Sequence, residues 1–149
     1  MRFYLLLPLA IALLPTVAAA DNCEVSISAG DGMAFSTRTM NIPLSCGEFT
    51  VNFEHTGRLP KGGMGHNWVL AQTSDVPEIV NAGITAGLAN DYLPENDARV
   101  IASTPILGGG ENASVTFETG SLNADSSYTF FCSFPGHSAM MRGSVNLVD

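Results

Sequence analysis

The sequence predicts an all-β protein, a sandwich of about seven or eight short strands with one short helical flap inserted around residues 74–88. Three observations carry this reading. Apolar and polar residues alternate in several segments, clusters of turn-forming residues separate those segments, and only one stretch departs from the two-residue period.

The elements follow in order. Val25, Ile27 and Ala29 alternate with Glu24, Ser26 and Ser28, and Phe49, Val51 and Phe53 alternate with Thr50, Asn52 and Glu54. Each set places its apolar members on one face of a strand. Less regular strands are expected at residues 66–71, 100–103, 113–118, 127–133 and 143–148, with Gly108-Gly109-Gly110 and Asn123-Ala124-Asp125 among the turns between them. Most of the pairing should be antiparallel. In the one exceptional stretch, Ser74 is placed to cap a short helix, Pro77 falls in its first turn, and Gly83 and Gly87 are placed to end it.

The chain has 149 residues, three cysteines and a net charge of -8. Its first 20 residues contain 16 hydrophobic ones and a single charge, Arg2. With Ala18-Ala19-Ala20 as a small-residue cleavage site, they read as a secretory signal removed after Ala20. The apolar run is too short to span a bilayer, which needs about 20 such residues. Residues 21–149 are then a single domain of 129 residues, long enough to bury a core of its own, in a compartment where disulfides persist. Three cysteines cannot all pair within one chain, so one needs a separate account. Lys61 is the only lysine, and Arg38, Arg58, Arg99 and Arg142 are scattered, so no basic patch exists to neutralise phosphates and nucleic acid is excluded as a partner. The sequon Asn112-Ala113-Ser114 is incidental.

Chemistry concentrates near the C-terminus. Cys132, His137 and Met141 are separated by four and then three residues, and Phe134-Pro135-Gly136 turns the chain between the first two. One loop therefore offers a thiol, an imidazole and a thioether. A further ligand has to come from His55 or His66, and His66 has the more suggestive surroundings, Met64-Gly65-His66-Asn67-Trp68. Two imidazoles and a thiolate with a weak thioether form the type-1 copper set, which suits both oxidation states of copper in one geometry. A structural zinc site takes four strong ligands, and Met is a poor one.

These blocks resemble the azurins, small periplasmic blue copper proteins of the cupredoxin family, over nearly all of residues 21–149. The resemblance rests on Cys23 with Cys46, on Met64-Gly65-His66-Asn67-Trp68-Val69-Leu70, and on the run from Phe130 to Met141. It implies a Greek-key sandwich, one copper ion per chain, and His66, Cys132 and His137 as equatorial ligands. It also implies Met141 as the weak axial ligand and the carbonyl of Gly65 as a distant contact. Met140 competes as a thioether but falls one position short of the family spacing. Cys23 and Cys46 would form a disulfide, leaving Cys132 for the metal. Asn67 and Ser133 would tie the two ligand loops together, and His55 matches a non-ligand histidine. Met33, Met64, Phe134, Pro135 and Gly136 would surround the exposed edge of His137 as an apolar docking patch. The implied partners are redox proteins such as c-type cytochromes or a copper-containing reductase, met by a monomer.

The function expected on this reading is single-electron transfer, with no catalytic residues and no substrate. Copper storage or delivery on the same scaffold is the alternative. Buried cysteine ligation argues against ready release of the metal. An oxidase needs further copper centres that three histidines cannot supply, and cysteine-hydrolase chemistry leaves Met141 and the second histidine unexplained. A purely adhesive sandwich accounts for the strands but not for the C-terminal loop.

Overall fold

The computed structural model describes residues 22–148. The proposed signal segment and its cleavage point lie outside that range. Among the described residues, eight strands form two sheets. β1 (Glu24–Ala29), β3 (Glu48–His55) and β6 (Asn112–Glu118) make the smaller sheet, with β3 in the middle. β2 (Thr39–Pro43), β8 (Arg142–Val148), β7 (Tyr128–Phe131), β4 (Val69–Gln72) and β5 (Val100–Ser103) make the larger sheet in that spatial order. β1 runs parallel to β3 and β2 parallel to β8; the other four pairings are antiparallel.

The alternation at the start of the chain does what the two-residue period requires. Ile27, Ala29, Phe49, Val51 and Phe53 all turn into one core shared with Met40, Ile42, Leu70 and Phe130 of the facing sheet. Trp68 lies at its centre, fully buried and stacked between Phe117 and Phe130 with ring centroids 6.2 and 6.3 Å away. A disulfide joins Cys23 to Cys46, with their Cα atoms 5.7 Å apart.

Two elements absent from the sequence reading are β2 and the four-residue helix α1 (Lys61–Met64). The segment expected as a strand from residue 66 begins its regular pairing at Val69, while His66 forms an isolated bridge to Leu107.

The flap is a helix, α2 (Val76–Ala86), followed by a 3-10 turn at Leu88–Asn90. Its start and end differ in detail from expectation. Asp75, not Ser74, occupies the N-cap position, and the Ser74 hydroxyl donates instead to Asp75 Oδ1. Gly83 does not end the helix. It is buried within α2 where a Cβ would stand 2.0 Å from the carbonyl oxygen of Tyr92, so glycine there permits close packing. Gly87, with φ of 72°, ends it. A second apolar cluster, Val76, Ile79, Leu93, Val69, Ala71 and Phe131, seats α2 against the larger sheet. No helix among the described residues is long and apolar enough to cross a membrane.

This topology sets the place for chemistry. β4 and β7 are antiparallel neighbours with Val69 opposite Phe131. The residues just before β4 and just after β7 therefore emerge side by side at one end of the sandwich. Those residues are His66-Asn67-Trp68 and Cys132-Ser133-Phe134.

Candidate metal centre

Cys132 follows the last residue of β7, and its N–H donates to the carbonyl of Met141 at 3.0 Å, closing the loop that leads into β8. Within the loop, the N–H of His137 donates to Phe134 O at 2.9 Å across Pro135 and Gly136, and Gly136 has φ of 83° and ψ of -15°. Proline followed by a residue of positive φ is the type II turn, which needs glycine at its third position. A 3-10 turn over His137–Ala139 and a bond from Met141 N to His137 O at 2.8 Å complete the reversal. The imidazole is thereby returned to the sulfur, with His137 Nδ1 3.7 Å from Cys132 Sγ.

His66 is fixed by its backbone and by its ring. Its N–H and C=O both pair with Leu107, at 3.0 and 2.7 Å. Gly65 before it admits no side chain, since a Cβ would lie 2.3 Å from Lys61 O and 2.5 Å from Ile106 Cγ2. On the far side of the ring, Nε2 lies 2.9 Å from the carbonyl oxygen of Gly30. Only a donor bonds a carbonyl, so the proton sits on Nε2 and Nδ1 carries a lone pair turned inward. That lone pair lies 3.9 Å from Cys132 Sγ and 3.2 Å from His137 Nδ1. The loop bearing Gly30 is held by Asp31, whose carboxylate accepts from the N–H groups of Arg58 and Leu59 at 2.9 to 3.0 Å. Those bonds, Leu59 foremost, hold the Asp31 carboxyl below its usual pKa.

The three atoms Sγ, Nδ1 and Nδ1 fit a metal ion. Separations of 3.2, 3.7 and 3.9 Å define a triangle whose centre lies about 2.1 Å from each corner, within the range of metal–imidazole and metal–thiolate bonds. The surroundings are dry: His66 and Cys132 are completely buried and His137 is 4% exposed. Burial pushes the Cys132 thiol up to a pKa of about 11, against the opposing pull of backbone N–H groups of Asn67 and Phe134. The same desolvation lowers His66 to about 4, partly offset by the bond to Gly30, and lowers His137. At neutral pH both imidazoles are thus uncharged and able to ligate, while the thiol loses its proton only in exchange for a cation.

Met141 is also completely buried, two residues beyond the 3-10 turn that carries His137, whereas Met140 is 60% exposed. Gly65, itself buried, immediately precedes His66. Asn67 and Ser133 bond each other: Ser133 N–H donates to Asn67 Oδ1, and Asn67 Nδ2 donates to Ser133 Oγ, each at 2.8 Å. His55 is buried and stacked on His66 with ring centroids 4.8 Å apart. Its Nδ1 accepts from Gly57 N–H and its Nε2 faces Met64 O at 2.9 Å, so both nitrogens are engaged outside the triangle. Of the apolar residues expected around His137, Phe134 lies against its ring with centroids 4.5 Å apart. Met33 and Gly136 are exposed, and Met64, Phe134 and Pro135 are half-buried.

Three residues that hold the site in place, Gly30, Leu107 and Asp91, are not among those the sequence singles out. The first two act through backbone carbonyls, which carry no side-chain signature. Asp91 had a faint one: an Asp directly after a helical segment suits a left-handed backbone, and its φ is 55°.

Comparison with known proteins bears on the same residues. The family described as copper binding proteins, plastocyanin/azurin family, matches residues 21–148. Azurin of Methylobacillus flagellatus is 58% identical over 141 residues, spanning 94% of this chain and 95% of that protein. Azurin iso-2 of Methylomonas sp. strain J is 53% identical over 128 residues, 86% of this chain and 99% of that one. A solved structure of the same Methylomonas azurin superposes with a TM-score of 0.84 at 52% identity, covering 87% of this chain and all of that one. A cupredoxin sandwich, a buried triangle of two imidazoles and a thiol, and this extent of identity converge on one reading: the chain belongs to the plastocyanin/azurin family and is a blue copper protein.

Proposed function

We propose that the protein carries single electrons between redox proteins of the periplasm, with copper held by His66, Cys132 and His137, Met141 as the weak axial ligand and the Gly65 carbonyl as a distant contact. The observation that carries this is the buried triangle of donor atoms, whose spacing fits a metal ion. Copper, when bound, supplies a one-electron couple. The chain's residues supply its constancy. The bond from His66 Nε2 to Gly30, the pairing of His66 with Leu107, and the mutual bonds of Asn67 and Ser133 hold the donors in one arrangement in either oxidation state. Complete burial of Cys132 keeps water from the sulfur. His137, the one donor residue with any exposure, offers its ring edge as the point of electron entry and exit.

On this reading Met33, Met64, Phe134, Pro135 and Gly136 form a small apolar patch without a central charge. It suits short-lived docking by a c-type cytochrome or a copper-containing reductase. The protein acts as a monomer, a single domain of residues 21–149 exported by a signal segment that is cleaved after Ala20. The experiment sets electron self-exchange of the copper-loaded protein against transfer of copper to a chelator. Fast exchange with slow transfer is expected. Fast transfer with slow exchange would instead make the protein a copper-delivery factor.

A further inference from the structure

The helical flap has no donor atom at the metal centre, yet the segment that follows it reaches the site. Asp91, at the end of the 3-10 turn after α2, is held at φ of 55°. Its carbonyl accepts from Ser133 Oγ at 2.8 Å and from Asn67 Nδ2 at 3.3 Å. Its side-chain Oδ1 accepts from the N–H of Ile106 at 2.8 Å, one residue before the Leu107 that pairs with His66. One residue thus bonds the three loops that carry or clamp His66 and Cys132. Gly83 of α2 packs directly on the adjoining carbonyl of Tyr92, which fixes the position of this segment from the helix side.

We propose that Asp91 is a positioning residue for the metal centre, and that the helical insertion serves to deliver it. Asn67 and Ser133 bond each other, but a pair alone can shift together. The Asp91 carbonyl anchors both, and its carboxylate anchors that carbonyl through Ile106. What this protects is the aim of two backbone donors, the N–H groups of Asn67 and Phe134, at the Cys132 sulfur. Hydrogen bonds to a metal-bound sulfur draw electron density from it and raise the reduction potential. Loss of the anchor should therefore loosen both amides and lower the potential.

The inference rests on the copper reading for the potential alone. Its first readout is amide hydrogen exchange in the metal-free mature protein, in Asp91→Gly, Asp91→Asn and Gly83→Ala. Glycine tolerates the left-handed backbone but lacks the carboxylate, whereas asparagine keeps both the backbone tolerance and an acceptor oxygen. Asp91→Gly is expected to speed exchange at Asn67 and Phe134 by about tenfold or more, with Val51 and Phe53 in the core unchanged. Asp91→Asn should restore protection. Gly83→Ala, which must displace the Tyr92 carbonyl, should loosen the same two amides. In the copper-loaded forms the potential should fall in Asp91→Gly and recover in Asp91→Asn. Unchanged protection at Asn67 and Phe134, loosening equal to that of the core, or an asparagine variant no better than glycine would overturn the proposal. A wild-type protein that fails to turn blue with copper would sink the ligand assignment and leave the exchange result readable.

Discussion

His66 Nδ1 and His137 Nδ1 face each other at 3.2 Å inside the pocket that also holds the Cys132 sulfur. His66 donates its one proton from Nε2 to Gly30, so its Nδ1 can only accept. Two facing lone pairs at this distance repel. Without a metal between them the repulsion is relieved when His137 carries its proton on Nδ1, so that tautomer is the one expected of metal-free protein. To ligate a metal through Nδ1, His137 would have to give up that proton, and its neutral ring would then carry its proton on Nε2. Nitrogen-15 NMR of the imidazoles should show His137 changing tautomer on metal binding while His66 keeps Nε2–H throughout. A His137 ring of the same tautomer in both forms would break the assignment.

Acid should destabilise the metal-free protein. Burial lowers the pKa of His66 from 6.5 to about 4 and lowers His137 in the same direction. Between those two pH values the unfolded chain binds protons that the folded chain refuses, so stability is full above about 6.5 and is lost as pH falls toward 4. Cys132, raised from 9.0 to about 11, acts in the opposite sense and removes stability as pH rises through that alkaline range. Urea midpoints of metal-free protein at about pH 7 and about pH 5 test the acid limb. Equal midpoints would contradict the burial of neutral imidazoles.

Trp68 is fully buried among Phe117 and Phe130, and its Nε1 has no hydrogen-bond partner among the described residues. Its fluorescence should therefore be strongly blue-shifted and move to the red only on unfolding. Trp68→Phe loses area but also a buried donor without a partner, so it should cost less than the roughly 3–5 kcal/mol typical of Trp→Ala in a core. Emission of the wild type checks the first statement, and urea midpoints of the wild type and Trp68→Phe check the second; red-shifted emission in the folded wild type would contradict the burial of the indole.

The disulfide lies outside the metal centre and fastens the residue before β1 to the loop entering β3. Replacing Cys23 and Cys46 together by alanine should lower stability by about 2–4 kcal/mol. The visible spectrum of the copper-loaded protein should be unchanged. A lost spectrum in a folded double variant would show that the disulfide shapes the site.

Met64 tests the proposed docking patch. Its side chain is half-buried at the rim, and its carbonyl, which bonds His55, is untouched by substitution. Met64→Lys should slow electron exchange by about tenfold or more, because a lysine desolvated in a small apolar contact finds no partner. Its copper spectrum should stay as in the wild type. Unaltered exchange would remove Met64 from the surface.

The strands that could be read from the sequence are those whose order is local. At residues 24–29 and 48–55 the two-residue period is written in consecutive side chains, and Ile27, Phe49, Val51 and Phe53 are buried as that period demands. β2 has the same alternation, with Met40 and Ile42 buried, but it is short, ends in proline and pairs in parallel with β8. Nothing nearby in the chain announces a partner over 100 residues away, as the bond between Asn41 and Asn146 shows. The C-terminal donors were legible because one loop carries them. Only its sequence neighbours distinguish His66 from His55, and the stacked rings show how close the two histidines lie. What the sequence could not disclose is the carbonyl scaffold of Gly30, Leu107 and Asp91, since any residue has a carbonyl and only folding decides where it points.

The role proposed for Cys132, the thiolate of a blue copper site, can be checked by a single comparison. Cu(II) is added to the purified wild-type protein and to Cys132→Ser, and the visible charge-transfer band and electron-paramagnetic spectrum are recorded. An intense blue band with a type-1 signal is expected in the wild type and neither in the variant. The same blue band in Cys132→Ser, or none in the wild type, would contradict it.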